Sequence, residues 1–280
     1  MTVDRSLTIF ICTRDRPDEL SSALASIARG SMAPARVLVS DDSEDGQATE
    51  EIARKFGVDY QRGPRRGLGA NRNACVEDLN TDLCAFIDDD VIVSSDFVKH
   101  ASTAPQTQIT TGWELNFSTE PARRVFASNA SFLGFQKSDT RHGLKSIVIN
   151  ATAIPRKAFS TIRFDELTRY GYEEIDFARH ASAAGWTIAH NPDLWVEHHP
   201  SAYGRADYNA QLDVSRIYLT RFAYARYDRN PIKSWTYSVV SAVHLLLSAA
   251  KSRRPIGETL NVIRRSNAIY RTRIRAEEAS

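Results

Sequence analysis

Residues 7–12, Leu-Thr-Ile-Phe-Ile-Cys, form a short apolar run that stops at Thr13-Arg14-Asp15-Arg16-Pro17, after which Leu20, Leu24 and Ile27 recur on one helical face. This predicts strand, polar loop, helix. Val37-Leu38-Val39 predicts a second strand ending in Asp41-Asp42-Ser43-Glu44-Asp45-Gly46, and Ile52, Ala53 and Phe56 predict a second helix. A repeated strand-helix unit implies a parallel sheet with crossover helices. A basic, glycine-bearing stretch from Arg62 to Gly69 precedes a predicted helix over about 70–79, and the strand Leu83-Cys84-Ala85-Phe86-Ile87 runs into Asp88-Asp89-Asp90. Ligands of open parallel sheets sit at the carboxyl ends of strands, so these three polar strand ends should converge on one crevice.

Residues 101–150 are mixed in pattern and read as irregular strands and a loop. An apolar strand is expected from Ile147 to Ala153, then a helix near Glu174 to Ala184 closed by Gly185. Two short strands, Trp186 to Ala189 and Leu194-Trp195-Val196, lead into Glu197-His198-His199-Pro200. Beyond Tyr203 the chain becomes a series of Arg- and Tyr-rich helices. Between Ser234 and Lys251 the polar residues Ser234, Ser238, Ser241, His244, Ser248 and Lys251 form one stripe, and the rest of that helix is a wide apolar face.

Composition adds little except by exclusion: 42% hydrophobic and 25% charged residues rule out collagen-like, mucin-like and wholly disordered chains. No stretch approaches the ~20 apolar residues of a membrane span, and charges follow the first apolar run at once, so no signal peptide is expected and the cytosol is the expected compartment. Cys12, Cys75 and Cys84 are expected as free thiols. The charge is asymmetric: residues 212–280 carry 13 Lys/Arg against 5 Asp/Glu, while the rest of the chain is net acidic. Two different partners at the two ends are implied.

Four constellations could carry chemistry. Adjacent carboxylates at Asp88-Asp89-Asp90 are either a solvated acidic turn or a site for a divalent cation, since a cation removes the repulsion and desolvation cost; oxygen ligands with room for phosphate favour Mg²⁺ or Mn²⁺. Arg62, Arg65, Arg66 and Arg72 around Gly63, Gly67 and Gly69 are an exposed loop or a diphosphate clamp. Glu173-Glu174-Ile175-Asp176 either complements a helix dipole or supplies a general base. His198-His199 is a structural pair or a metal ligand with its neighbour. Trp113, Trp186 and Trp195 read as core.

Taken in order, these residues resemble glycosyltransferase family 2 on a GT-A fold. Thr8 to Arg16 resembles the first strand and nucleotide-contacting loop, Val39-Ser40-Asp41-Asp42-Ser43 the second-strand carboxylates, and Gly67-Leu68-Gly69-Ala70-Asn71-Arg72-Asn73 the helix start. Phe86 to Asp90 is similar to the DxD element, Phe164-Asp165-Glu166 to a recurrent turn, Tyr170 to Asp176 to the acidic motif carrying the base, and Val196-Glu197-His198 to the late histidine. The fold class implied is α/β, a Rossmann-like, mostly parallel sheet flanked by helices with a C-terminal helical extension. The catalytic domain would span 1–205 (nucleotide-binding half about 1–100, acceptor half about 101–205), and the basic amphipathic extension 206–280.

The resemblance implies that Asp42 and Arg72 hold the nucleotide, with Asp41 and Arg14 beside them and Thr13 lining the base pocket. Asp88 and Asp89 would meet ribose and metal, Asp90 and His198 would ligate Mn²⁺ or Mg²⁺, and Glu174 would take the acceptor's proton. The family usually has Asp where this chain has Glu174, so Glu173 or Asp176 is an alternative base. The QxxRW element of processive members is not found, since Gln211 is followed by Leu-Asp-Val-Ser-Arg. The activity implied is a metal-dependent, inverting transfer of one sugar from a nucleotide-diphosphate donor, UDP- or dTDP-sugar favoured, to a glycan or lipid-linked acceptor. A nucleotidyltransferase would need an N-terminal Gly-rich phosphate signature that Thr13 to Pro17 lacks. A non-catalytic carbohydrate-binding homologue would not need Asp90, Glu174 and His198 together. The basic, apolar tail predicts contact with the inner face of a membrane through 234–276, against the alternative that the same face packs on the catalytic domain or a second subunit. No nucleic-acid motif is present.

Overall fold

The computed structural model describes residues 4–137, 143–200 and 208–279. The chain runs β1 (Leu7–Thr13), α1 (Pro17–Ala28), β2 (Arg36–Asp41), α2 (Gln47–Phe56), β3 (Asp59–Arg62), α3 (Leu68–Val76), β4 (Leu83–Asp88), β5 (Val91–Val93), α4 (Phe97–Ser102), β6 (Gln108–Asn116), β7 (Arg123–Phe126), β8 (Thr152–Pro155), α5 (Glu173–Ala183), β9 (Thr187–His198), α6 (Tyr208–Arg226), α7 (Pro231–Ser252) and α8 (Ile256–Ala279). The strands form one sheet in the order β3-β2-β1-β4-β8-β6-β9-β5, with β7 on β6. β3, β2, β1 and β4 are mutually parallel, as are β6 and β9, and most paired positions belong to these ladders.

Strand alternation explains the two layers. In β1, Leu7, Ile9 and Ile11 point into a core shared with Leu20, Leu24, Ala53 and Phe97, whereas Phe10 and Cys12 point into a second core with Cys75, Phe164 and Phe177. β4 divides its residues the same way, Leu83, Ala85 and Ile87 to one side and Cys84 and Phe86 to the other. With both faces covered by helices, the central strands read as continuous apolar runs.

One sequence expectation is made specific and two are corrected. Residues 101–150 contain the nine-residue strand β6, which pairs with β7, β8 and β9. Its Thr110, Thr111, Glu114 and Asn116 are buried polar residues that break the hydrophobic pattern without breaking the strand. The expected strand Ile147–Ala153 is instead a 3-10 turn over Ile149–Ala151 followed by β8. Asn150 turns aside there to accept the Asp88 backbone N–H at 2.8 Å and donate to the Asp88 carboxylate at 3.1 Å. The two short strands after Gly185 are one twelve-residue strand, β9. Its ladder with β6 shifts register between Thr111 and Trp113, where a side chain on Gly112 would strike the Leu194 carbonyl.

The helices α6, α7 and α8 pack on one another through Val214, Tyr224, Tyr237, Leu245 and Val262. The expected boundary at 205/206 lies outside the described residues. On α7 the inward face carries Ser234, Tyr237, Ser241, Leu245 and Ala249, so the wide apolar face is the outward one and does not pack on the rest of the described chain. Ser234 meets its hydrogen-bonding need by donating to the Arg221 carbonyl at 3.1 Å.

Candidate active site

The carboxyl ends of β1, β2 and β4 open on one cleft of about 1190 Å³, joined by the ends of β6 and β9. Thr13, Arg14, Asp42, Asp88, Asp89, Asp90 and His198 all line it. Backbone bonds lock these ends together: Asp42 N–H donates to the Thr13 carbonyl at 2.9 Å, and His199 N–H to the Asp90 carbonyl at 2.9 Å.

Within the acidic triplet each carboxylate has a different environment. Asp88 accepts from Arg72 at 3.0 Å and from Asn150. Asp89 accepts from the Thr13 hydroxyl at 2.7 Å and Arg16 at 3.1 Å, and burial pushes its carboxyl up to about 6. Asp90 stands between Arg16, at 3.3 Å, and His198, whose Nε2 is 3.4 Å from its Oδ1. The other His198 nitrogen faces Glu114 at 3.2 Å and Asn116 at 3.3 Å. Burial alone would lower His198, but the bonds to Asp90 and Glu114 outweigh it and hold the ring up at about 10.

This donor set fits a hard divalent cation. A carboxylate and an imidazole face each other at the cleft, and the imidazole's second nitrogen is fixed by a carboxylate behind it, the arrangement that orients a metal-ligating histidine. Among the described residues no three His, Cys, Asp or Glu side chains gather into a closed cage. Two or three protein ligands suit an ion of the Mg²⁺ type, which keeps water and substrate phosphate oxygens in its shell.

Two expected nucleotide contacts lie behind the cleft wall. Arg72 is only 2% exposed: it bridges Asp88 and Glu173, the latter at 3.2 Å, and lies over the Phe86 and Phe164 rings. Asp41 is buried too, accepting from Tyr60 at 3.0 Å, Arg62 at 3.1 Å and the Ser43 N–H at 2.8 Å. Both organise the walls; Asp42 and Arg65, whose N–H donates to Asp42 at 2.8 Å, reach the cleft itself.

The acidic turn at the start of α5 separates into three roles. Glu173 is buried with Arg72, and burial raises its carboxyl. Asp176 points away from the cleft: its Oδ2 accepts from Tyr227 at 3.2 Å, its Oδ1 has no partner among the described residues, and burial with the nearby Asp165 charge pushes it up to about 7. Glu174 is half-buried, and burial together with the Glu173 charge pushes it up to about 8, within the ordinary reach of a general base.

The far wall comes from the segment after Phe164. Gly69 lets α3 start against it, since a side chain there would strike the Asp165 carbonyl. Asp165 accepts from Tyr218 at 2.6 Å and Arg273 at 2.8 Å, and Ser215 donates to the Tyr170 carbonyl at 2.8 Å, so α6 and α8 hold this wall; Arg169, Tyr170 and Leu212 line the cleft. Glu114, Asn116, Asn150, Arg169 and Leu212 were not singled out from sequence. An acid inside a strand pattern, Trp113-Glu114-Leu115, was the one available signal.

Comparison with known proteins supports this picture. The sequence model described as glycosyl transferase family 2 matches residues 8–143. The succinoglycan biosynthesis protein ExoM of Rhizobium meliloti (strain 1021) is 29% identical over 222 residues, covering 71% of this chain and 68% of that protein. Among solved structures, the mannosyltransferase PcManGT of Pyrobaculum calidifontis, in complex with GDP-Man and Mn²⁺, has a TM-score of 0.59 at 11% identity and covers 96% of this chain and 88% of that one. S. aureus TarS 1-349 has a TM-score of 0.58 at 14% identity, covering 94% and 83%; the match to a longer TarS structure spans 43% of that chain. These neighbours share the GT-A fold.

Proposed function

From a chain whose residues 8–143 match glycosyl transferase family 2, we propose a metal-dependent, inverting glycosyltransferase that moves one sugar from a nucleotide-diphosphate donor to a hydroxyl acceptor. The observation that carries the reading is the meeting of Asp90 with His198 at 3.4 Å in the cleft that Asp42 and Arg65 also line. The nucleotide would lie over the ends of β1 and β2, its base near Thr13 and Asp42 and its diphosphate near Arg14 and Arg65. Asp90 and His198, with Asp88, would hold Mn²⁺ or Mg²⁺. When bound, the ion neutralises charge developing on the diphosphate leaving group.

Glu174 removes the proton of the acceptor hydroxyl at its carboxylate. Arg72 and Asn150 fix Asp88, and Glu114 fixes His198, so the donor side is rigid before substrate enters. A single in-line displacement with the base opposite the leaving group inverts the anomeric centre. The relative named for succinoglycan biosynthesis supports polysaccharide assembly as the setting; the acceptor would be a glycan or a lipid-linked glycan.

The test is nucleoside diphosphate release from a panel of UDP-, dTDP- and GDP-sugars, with membrane lipid extract as acceptor and with or without Mn²⁺. One donor class consumed only with metal, and not by Glu174→Gln, is expected. Equal turnover by Glu174→Gln would remove Glu174 as the base.

A further inference from the structure

The outward face of α7 has no counterpart among the described residues. Ile232, Trp235, Val239, Val240, Val243 and Leu247 follow one another at helical spacing on it, and Ile232, Trp235 and Leu247 are 77%, 67% and 67% exposed. From Ile232 to Leu247 the row is about 22 Å long at ~1.5 Å per residue. Exposed apolar residues are common singly, but a row of this kind marks an interaction surface. The inward face, with its serines and Tyr237, already makes the contacts to α6 and α8, so rotating the helix would expose that core and bury the row against nothing.

Charge decides what covers the row. No charged residue lies between Lys233 and Lys251. Past the turn, Ile256 and Leu260, both exposed, begin a row on α8 that continues at helical spacing as Arg264, Arg271 and Arg275, all exposed and in no ion pair among the described residues. An exposed apolar face on α7 and exposed arginines outside any ion pair on α8 together match an acidic lipid surface, whose interior takes the apolar side chains and whose headgroups take the guanidinium groups. A second copy of the chain fits worse, since the same segment has few acids to offer these arginines, 5 Asp/Glu against 13 Lys/Arg over residues 212–280. No helix of the described residues is long and apolar enough to cross a bilayer, so the face lies on the surface.

We propose that the α7 face from Ile232 to Leu247, with Ile256, Leu260 and the α8 arginines, docks the protein in the plane of an anionic membrane. This deepens the reading of a lipid-linked acceptor, and α6 and α8 tie the docked helices to the Asp165–Tyr170 cleft wall through Ser215, Tyr218 and Arg273. Docking itself needs neither donor nor acceptor. The experiment therefore separates the two: vesicle binding tests the face, and a donor-induced thermal shift tests the cleft.

The full chain is sedimented with vesicles of two parts phosphatidylcholine to one part phosphatidylglycerol, and with phosphatidylcholine alone, at low and high salt. Expected are binding to the anionic vesicles, release by salt, and a blue shift of fluorescence that is lost in Trp235→Phe. Trp235→Glu with Leu247→Glu should abolish binding. Arg264→Gln with Arg271→Gln and Arg275→Gln should weaken it about a hundredfold, the equivalent of ~1 kcal/mol of headgroup attraction per arginine. Both sets should melt as the parent does, because these side chains face solvent. A chain that stays in solution, one that binds neutral vesicles equally, or a salt-stable dimer broken by Trp235→Glu would each overturn the proposal, the last by giving the face to a second copy.

Discussion

Glu173, Glu174 and Asp176 lie within one turn of α5, and at about 100° per residue the helix sends them to three environments. Glu174→Gln should lower kcat about 10²–10⁴-fold while the donor still binds, because only proton removal is lost. A base works deprotonated, so kcat/KM should rise with pH and level above about 8. Asp176 differs: its carboxyl is raised above its ordinary value to about 7 by burial, so the stability it contributes is full at low pH and is lost as pH climbs through that value. Asp176→Asn should therefore keep activity and unfold at higher denaturant than the parent above pH 7, with little difference in acid. An inactive Asp176→Asn of normal stability would put the base there instead. Arg72 and Asp41 show where reading residues one at a time stops. Both are charged and adjacent to a strand end or helix start, which reads as substrate contact, yet each is buried by partners that only the fold supplies, Asp88 and Glu173 for one and Tyr60 and Arg62 for the other.

Elements whose residues face two apolar layers were legible, because their hydrophobic run is unbroken: β1 and β4 end one residue beyond the expected Cys12 and Ile87, and their carboxyl ends meet in the cleft. β6 was not legible, since its buried Thr111, Glu114 and Asn116 find their partners far along the chain, at Val148, Thr152 and His198. The same distance hid the residues that orient His198. Glu114→Gln keeps the shape and removes the charge behind the ring, and should weaken Mn²⁺ binding by roughly 10–100-fold without unfolding the protein. Isothermal titration of Mn²⁺ in the presence of nucleoside diphosphate reads this directly; an unchanged affinity would leave Glu114 with a packing role alone. The helical layer is tied to the cleft wall by hydrogen bonds from α6 and α8 to Asp165. Arg273→Met removes one charged hydrogen bond from buried Asp165 while Tyr218 keeps another, so a loss of ~1.5–3 kcal/mol is expected in urea denaturation. No loss would show that α8 is not tied to the cleft wall through this pair.

At the scale of the molecule, the parallel strands β3, β2, β1 and β4, an antiparallel continuation through β8, and three helices bring eight separate stretches of chain to one cleft. The basic C-terminal quarter was legible as a helical layer of opposite charge. The wide apolar face of α7, read as a face for an outside partner with packing on the rest of the chain as the alternative, is the outward one, and its serines line the contact with the neighbouring helices. The central claim is that the cleft binds a nucleotide diphosphate together with a divalent cation held by Asp90 and His198. A ligand at a hundred times its Kd adds ~2.7 kcal/mol to stability, a rise in Tm of about 5–10 °C for a chain of this size. The decisive measurement is the melting temperature of the parent and of Asp90→Ala with UDP, dTDP and GDP, each with and without Mn²⁺. The account predicts a rise for one nucleotide that needs Mn²⁺ and vanishes in Asp90→Ala; a rise of the same size without metal, or in Asp90→Ala, would contradict it.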